Sequence, residues 1–326
     1  MRTRIVLALT AIALVLAGCG SSEAPASVSV APVEPRPAGA TEVTAPPAAV
    51  NADCDREASP RPERPLPSPG AMPAGSTMAK IAERGRLIVG VDQNTYLFGF
   101  RNPATGQLEG FDIDIAREIA RAIFGDPNRI QLRVVDASQR ETVLQDGEVD
   151  LVVRTYSITC ARKQKVAFST VYFNANQKVL AVKGSGIDSF QALSGRRVCA
   201  VSGTTSLAKL FELNPRPQVF GVATWTDCLL MLQQGQVDAI STDDVVLRGL
   251  AHQDPNTAVV GESAAVEPYG IGIKKENTDL VRFVNGVLEK IRDDGTWQRL
   301  YDARLQELGP SAGPVSYTHL RAHRPY

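Results

Sequence analysis

Residues 132–153 read LRVVDASQRETVLQDGEVDLVV, and their pattern decides the fold class of this chain. An apolar strand at 132–135 leads into a helix at about 140–144, and Gly147-Glu148-Val149-Asp150 opens a second strand at 149–153. The same order recurs downstream, where strand 219–220 and helix 226–234 lead to Gly235-Gln236-Val237-Asp238 and a strand at 237–241. Strands alternating with helices are typical of a mostly parallel sheet covered on both faces. Two such units in tandem predict two α/β lobes with a cleft between them.

Other segments extend the two units. Apolar residues at strand or helix spacing predict strands at 87–91, 197–201 and 269–273 and helices at 111–124, 203–212, 279–292 and 297–308. Helix 279–292 is amphipathic. We expect the elements after residue 268 to return to the first lobe.

The N-terminus has the pattern of an export signal. Arg2 and Arg4 precede an apolar run at 5–16, which is shorter than the about 20 residues that a membrane span needs. Residues 1–18 are therefore predicted to be a signal peptide. Leu16-Ala17-Gly18-Cys19 resembles the lipobox of bacterial lipoproteins, in which the cysteine becomes the N-terminus and carries the lipid. We expect an exported protein, anchored to the outer face of the cell membrane through Cys19.

Residues 19–77 are rich in proline and alanine, and we expect them to form an extended, mobile tether. Beyond Cys19, four cysteines remain, which allow three disulfide pairings in an exported protein. We favour Cys199 with Cys228, which are close in sequence within one lobe. That choice leaves Cys54 with Cys160, a bond that would attach part of the tether to the body.

Composition excludes several function classes. The 35 basic and 35 acidic residues cancel, so the sequence predicts no nucleic-acid surface. With only three histidines, two of them in the last eight residues, histidine triads and multi-histidine metal sites are excluded, and we expect no metal or cofactor. A hydrophobic share of 44% over 326 residues is enough for about two domains.

Four short motifs within residues 80–308 resemble the polar amino-acid family of bacterial solute-binding proteins. They are Gly110-Phe111-Asp112-Ile113-Asp114-Ile115, Ser157-Ile158-Thr159 with Arg162, Gly203-Thr204-Thr205-Ser206, and Asp294-Gly295-Thr296-Trp297 with Tyr301. The closest resemblance is to the glutamine/glutamate-binding lipoproteins of high-GC bacteria, which also have a Pro-rich tether.

The resemblance implies a two-lobed, periplasmic-binding-protein-like (type II) α/β fold with two hinge crossovers that closes on its ligand. Lobe 1 would comprise residues 78–182 with 265–310, and lobe 2 residues 183–264. The crossovers would fall near 181–184 and 262–266. Residues 311–326 have no place in the family pattern and resemble read-through of a sequencing adaptor, so we leave them out of the functional argument.

The resemblance also implies a site for a free amino acid. Arg162 matches the family arginine, and its guanidinium suits the ligand carboxylate, with Ser157 and Thr155 adding donors at the end of a strand. Asp243 would accept from the ammonium, although the adjacent Asp244 could be the matching residue and an N-cap role is the alternative.

Two further groups are candidates. Gly203, Thr204 and Thr205 stand where a strand meets a helix, a place that favours an anion or, alternatively, an ordinary N-cap. Asp92 ends a strand and would serve the ammonium or the first helix.

Arg154 stands where glutamine-binding relatives tend to have a small residue. It therefore favours glutamate or aspartate over glutamine or asparagine, unless it pairs with an internal acid. Arg140 is a weaker candidate for the same task. The family's stacking aromatic is displaced here, since Thr95 holds its position, and we choose the neighbouring Tyr96.

The predicted role is capture of a polar amino acid by a monomer that presents it to an ABC permease or to a membrane sensor. The sequence does not distinguish these two partners. An enzyme of the dehydratase type, acting on small carboxylic acids with the same fold, is the alternative, because such relatives would keep Arg162.

Overall fold

The computed structural model of the chain describes residues 35–47, 53–62 and 64–315, and the backbone of 320–321. Residues from Arg36 onward form one compact unit. The predicted signal peptide, the lipid anchor at Cys19 and most of the C-terminal tail lie outside the described residues. Within the described part, no helix is both long and apolar enough to cross a bilayer.

The strands are β1 (Thr41–Glu42), β2 (Ser59–Pro60), β3 (Leu87–Val91), β4 (Asn94–Thr95), β5 (Gly99–Arg101), β6 (Leu108–Glu109), β7 (Ile130–Val134), β8 (Leu151–Val152), β9 (Ala167–Phe168), β10 (Phe173–Val182), β11 (Arg197–Val201), β12 (Gln218–Val222), β13 (Ala239–Asp243), β14 (Thr257–Val260), β15 (Val266–Tyr269), β16 (Gly272–Ile273) and β17 (Leu320–Arg321). The α-helices are α1 (Thr77–Arg84), α2 (Phe111–Phe124), α3 (Arg140–Gln145), α4 (Cys160–Lys165), α5 (Thr205–Leu210), α6 (Trp225–Gln233), α7 (Asp244–Gln253), α8 (Thr278–Asp293) and α9 (Thr296–Arg304).

Each lobe is built on a sheet of mixed direction. In lobe 1 the strand order is β7-β3-β8-β16-β9, with β7, β3 and β8 parallel and β16 antiparallel to its neighbours. In lobe 2 the order is β12-β11-β13-β10-β14, with β12, β11 and β13 parallel and β10 antiparallel. The prediction of two α/β lobes is confirmed, and the parallel strands are those of the tandem repeat.

The aspartates of the two repeated Val-Asp pairs, Asp150 and Asp238, make the same backbone contacts in both lobes. The carboxylate of Asp150 accepts the backbone N–H of Ile88 at 2.8 Å, and that of Asp238 accepts the N–H of Arg197 at 2.8 Å. The backbone N–H groups of the two aspartates donate back to the carbonyls of Ile88 and Arg197 at 2.8 and 2.7 Å. Each aspartate therefore fixes the start of an interior parallel strand of its sheet, β3 or β11.

Helix α2 carries the Gly-Phe-Asp-Ile-Asp-Ile motif and has the predicted bounds. Gly110 caps its N-terminus at φ 127°, and a Cβ there would lie 2.2 Å from the carbonyl oxygen of Phe98. Only glycine fits this approach of the helix to the preceding loop. Gly125 ends the helix in the left-handed conformation.

The hinge consists of two antiparallel strand segments. Phe173–Asn176 of β10 pairs with β15, while Gln177–Ala181 already pairs with β13 in lobe 2. The predicted crossover near 181–184 is therefore wrong, since residues 177–182 belong to lobe 2. The second predicted crossover, near 262–266, agrees with the strand pairing, because it lies between β14 of lobe 2 and the hinge strand β15. The sequence of β10 gives no glycine or proline to mark where one lobe ends, because a single continuous strand serves both.

The expectation of a free tether is also wrong in part. Residues 41–42 pair with β12 at the edge of the lobe 2 sheet, and Cys54 is bonded to Cys160 on lobe 1. Cys199 and Cys228 form the second disulfide, within lobe 2. Both predicted pairings are thus present, and one of them holds a segment that we expected to be mobile.

Candidate ligand-binding cleft

A cleft between the lobes collects side chains that follow the carboxyl ends of the parallel strands in both sheets, where open α/β sheets bind ligands. Its cavity is only about 10 Å³, roughly the space of one water molecule, so a ligand can enter only when the lobes separate. Its lining residues are Arg140, Arg154, Thr155, Ser157 and Arg162 from lobe 1 and Thr204, Thr205, Ser206, Trp225, Thr242, Asp243 and Val246 from lobe 2. Seven of the predicted ligand-binding residues are among them, and so is the weaker candidate Arg140.

Arg162 is held in place from several sides. It lies on α4, and its N–H donates to the hydroxyl of the N-cap Thr159. Its guanidinium donates to the carbonyls of Ser157 at 2.7 Å and Gly203 at 3.0 Å, and it lies 3.4 Å from Glu141. Each of these contacts uses one N–H, so the guanidinium keeps further donors for a carboxylate. A charged group fixed in this way is preorganised to bind an anion.

Thr155 has a strained backbone conformation, which is held by a residue of the Gly-Phe-Asp-Ile-Asp-Ile motif on α2. Its φ is 37°, the only positive value of a non-glycine residue in the described chain. Its N–H donates to Asp112 at 2.8 Å, and the other oxygen of Asp112 accepts from the hydroxyl of Tyr172 at 2.6 Å. Burial raises the pKa of Asp112 to about 6. Asp112 does not line the cleft, but it fixes the segment that does.

Arg154 forms an internal ion pair, the alternative left open by the sequence. It lies 3.2 Å from Asp92, and both side chains are buried. The oxygens of Asp92 also accept from the N–H groups of Gln93 and Asn94 and from the hydroxyl of Thr95. The predicted role of Asp92 at the ammonium or the first helix is therefore wrong: its oxygens hold Arg154 and the following loop.

Arg140 has a different environment, although it is equally buried. Its guanidinium donates to the carbonyls of Ala137 at 2.8 Å and Gly203 at 3.0 Å and lies 4.3 Å from the ring centre of Tyr156. Among the described residues it forms no ion pair with a carboxylate. Burial and the nearby Arg162 lower the pKa of Arg140 to about 9. An anion in the cleft would relieve both effects.

The hydroxyl groups of the Gly-Thr-Thr-Ser segment mostly form hydrogen bonds to other residues of the protein. The hydroxyl of Thr204 donates to Val201 and accepts the N–H of Leu207, which is the N-cap alternative. The hydroxyl of Thr205 donates to Glu267 at 3.0 Å. Gly203 contacts lobe 1 directly, since a Cβ on it would lie 2.7 Å from Cα of Ser138. The lobes are therefore closed on each other at this point.

Asp243 ends β13 and is 5% exposed. One carboxylate oxygen accepts from the hydroxyl of Tyr269, and the other, Oδ1, is buried without a hydrogen-bond partner among the described residues. Burial, together with the nearby Glu267, raises the pKa of Asp243 to about 8. Asp244 accepts the N–H of Asn176 on the hinge strand, so Asp243 is the one of the two that faces the cleft. A cation such as an ammonium would satisfy Oδ1.

The structure places the aromatic residues differently from the prediction. Tyr96 does not line the cleft; it stacks on His252 of lobe 2 at 4.8 Å, outside the site. Trp225 lines the cleft instead and is 4% exposed. It was missed, although a signal existed: Thr224 and Asp227 form a capping box just after β12, which puts Trp225 at the carboxyl end of a parallel strand.

The sequence model of the bacterial extracellular solute-binding proteins, family 3, matches residues 87–306. The chain belongs to this family. Over 232 residues it is 39% identical to the ABC transporter glutamine-binding protein GlnH of Bacillus subtilis, which covers 71% of this chain and 85% of that protein. It is 33% identical over 250 residues to the glutamate-binding protein GluB of Corynebacterium glutamicum, covering 73% and 84%.

Among solved structures, the solute receptor for L-cysteine of Neisseria gonorrhoeae has a TM-score of 0.70 at 26% identity, covering 74% of this chain and all of that one. As a family 3 member, the chain is an extracytoplasmic binding protein with the two-lobed fold. The described residues contain no group of histidine, cysteine, aspartate and glutamate suited to a metal ion.

Proposed function

We propose that this protein captures a free polar amino acid between its lobes, as the relatives named for glutamine and glutamate do. The observation that carries the proposal is the position of Arg162 and Asp243, which line one cleft from opposite lobes. A free amino acid has one carboxylate and one ammonium, and these two side chains are their natural partners. A ligand held by both would join the lobes.

The side-chain preference proposed here is for glutamate or aspartate, with glutamine or asparagine as weaker ligands. Arg154 was the first basis for this preference, but Asp92 neutralises it. Arg140 is the better candidate, because it is buried in the cleft wall without a carboxylate partner among the described residues. A second carboxylate on the ligand would supply that partner, whereas a neutral amide would not.

The proposed setting is the outer face of the cell membrane, with Cys19 lipidated and the folded part acting as a monomer. The loaded protein would present its ligand to an ABC permease or to a membrane sensor. The relative from Bacillus subtilis is named for an ABC transporter, which favours the permease. Co-purification from detergent-solubilised membranes would identify the partner.

A thermal shift screen with the twenty amino acids tests the proposal. A ligand at 100 times its Kd should stabilise the fold by about 2.7 kcal/mol. Glutamate or aspartate should give the largest rise in Tm, and glutamine or asparagine a smaller one. A response to a sugar or a peptide, with none to any amino acid, would show that the amino-acid assignment is wrong.

The dehydratase-type alternative is supported by one feature. Asp243 is a buried cleft carboxyl whose pKa is raised to about 8, and such groups serve as acids or bases in enzymes. A binding protein would show the same raised pKa, because it follows from burial of Asp243 beside Glu267. An ammonium ligand would offset both effects. Incubation with glutamate, aspartate and small hydroxy acids separates the two functions. Any product at catalytic enzyme concentration favours the enzyme, and unchanged ligand favours the binder.

A further inference from the structure

The two lobes also meet away from the cleft, where Tyr96 and Glu307 of lobe 1 lie against Gly249 and His252 of lobe 2. Gly249 and His252 belong to α7. Glu307 belongs to the short 3-10 helix Gln306–Leu308, which follows α9, and α9 packs on α2 of lobe 1. We call these four residues the side patch. Of the described residues that line the cleft, none belongs to it.

Tyr96 is held in place by its own lobe. The carboxylate of Asp92 accepts hydrogen bonds from residues 93–95, directly before Tyr96. Asp92 also pairs with Arg154 in the cleft wall. The ring of Phe100 packs edge-on against that of Tyr96, with the ring centres 5.2 Å apart. Lobe 1 therefore presents the Tyr96 side chain to lobe 2 in a defined position.

Gly249 provides the space into which Tyr96 fits. It lies inside α7 and is buried. A Cβ on Gly249 would lie 3.2 Å from Cβ of Tyr96 and 3.8 Å from its backbone nitrogen, and its three nearest neighbours would all be atoms of Tyr96. Carbon atoms pack best at about 3.5–4.0 Å, so only glycine allows this approach without a shift. Glycine weakens a helix interior relative to alanine, and here the close contact between the lobes is the packing reason for it.

His252 extends the contact, three residues further along the same face of α7. Its ring stacks on that of Tyr96, with the ring centres 4.8 Å apart and the planes 13° apart. Its Nδ1 lies 3.1 Å from a carboxylate oxygen of Glu307. The side chains of His252 and Glu307 are 52% and 38% exposed, so solvent screens this polar contact. The ring stacking and the fit at Gly249 therefore contribute more than the ion pair.

We propose that the side patch is a second closure contact, which raises the affinity of the cleft for its ligand without touching the ligand. This inference rests on the proposed amino-acid function, because it concerns capture of that ligand. The two halves of the patch belong to different lobes, so the contact forms only when the lobes lie together. A contact made only in the closed state increases the population of that state and lowers the apparent Kd in proportion. Tyr96 is then a positioning residue that stacks on the other lobe.

A double-mutant cycle measured on ligand affinity tests the contact. Tyr96→Ala and His252→Ala each remove one of the stacked rings, and calorimetry with L-glutamate and L-glutamine gives Kd for the wild type, both variants and their combination. Each single variant should raise Kd by about three- to tenfold. The double variant should raise it no further, because the two rings act through one contact. Gln253→Ala is the control and should leave Kd unchanged, since this exposed neighbour on α7 makes its hydrogen bond within the helix.

Gly249→Leu tests the same contact by adding atoms, and it serves where Tyr96→Ala does not fold. Leucine is a better helix former than glycine, so circular dichroism should show that α7 and the rest of the protein stay folded. The new side chain would take the space of Tyr96 and keep the lobes apart. Overpacking of this kind should raise Kd at least about tenfold.

An unchanged Kd in folded Gly249→Leu, or single-variant effects that multiply in the double variant, would overturn the proposal. If the wild type binds no amino acid, the proposed function fails instead, and small-angle scattering without ligand then decides about the side patch. Gly249→Leu should have a larger radius of gyration than the wild type. Equal radii would overturn the side patch as a closure contact.

Discussion

The carboxylate of Asp112 accepts the backbone N–H of Thr155 at 2.8 Å, and this contact links the helix motif to the cleft. We predict that Asp112→Asn weakens amino-acid binding although Asp112 does not line the cleft. An amide has one acceptor oxygen where the carboxylate has two, so either the N–H of Thr155 or the O–H of Tyr172 loses its acceptor, at a cost of about 1–3 kcal/mol. The φ of 37° at Thr155 would then relax.

The matched control is Asp114→Asn, two residues along the same helix. Asp114 pairs with Arg304 at 2.7 Å, on a side of α2 that does not line the cleft. Calorimetry with glutamate should give a higher Kd for Asp112→Asn and an unchanged Kd for Asp114→Asn. Equal affinity in both variants would mean that Asp112 only stabilises the fold.

The pH dependence of binding follows from Asp243. Its pKa is raised from 3.8 to about 8, so below that pH the unliganded protein mostly holds the proton. The fold without ligand consequently loses stability as pH rises from 4 towards 8. An ammonium ligand needs the ionised carboxylate, so binding releases about one proton near pH 6.5, and affinity rises between pH 6 and 8.

Calorimetry in two buffers of different ionisation enthalpy measures this release directly. Asp243→Asn should bind weakly and lose the pH dependence in this window. Wild-type binding without net proton release would mean that Asp243 is already ionised or does not meet the ligand.

The preference for glutamate over glutamine distinguishes the roles of the two buried arginines, Arg140 and Arg154. Arg140→Gln should weaken glutamate more than glutamine by about tenfold, since a charged donor contributes about 1.5–3 kcal/mol against roughly 0.5–1.5 for a neutral one. Arg154→Gln leaves Asp92 buried without its cation, so it should destabilise the fold and weaken both ligands alike. If Arg154→Gln alone changes the preference, the assignment to Arg140 is wrong.

The two disulfides should differ in accessibility. Cys199 and Cys228 are fully buried, whereas Cys54 is exposed. Limited reduction followed by alkylation and peptide mass mapping should therefore label Cys54 and Cys160 first. Cross-peptides between the two pairs, or free Cys54 and Cys160 before reduction, would contradict the pairing.

The sequence was sufficient for features set by local pattern. Helix α2 and the strands β3 and β11 have their predicted bounds. In each of them the spacing of the apolar residues fits only one way of burying the segment. Arg162 and Asp243 were found because the resemblance placed them at strand ends, and the structure brings both to one cleft.

What the sequence did not reveal depends on long-range pairing. Arg154 and Asp92 are 62 positions apart, so nothing local indicated that they neutralise each other. The same holds for the pairing of Thr41 with Gly221, which attaches a proline-rich segment to a sheet edge. The first hinge crossover was misplaced for a similar reason, because β10 is continuous in sequence and changes partners midway along its length.

The most direct test of amino-acid capture is calorimetry of L-glutamate with the wild type, Arg162→Ala and Arg162→Lys. Removing a buried, hydrogen-bonded charge from a binding site costs about 2–5 kcal/mol. Lysine keeps the charge but not the paired donors, so its loss should be intermediate. Circular dichroism should show that all three proteins are folded. The account predicts clear binding by the wild type and at least a thirtyfold rise in Kd for Arg162→Ala, which corresponds to about 2 kcal/mol. Near-native affinity in folded Arg162→Ala would contradict it.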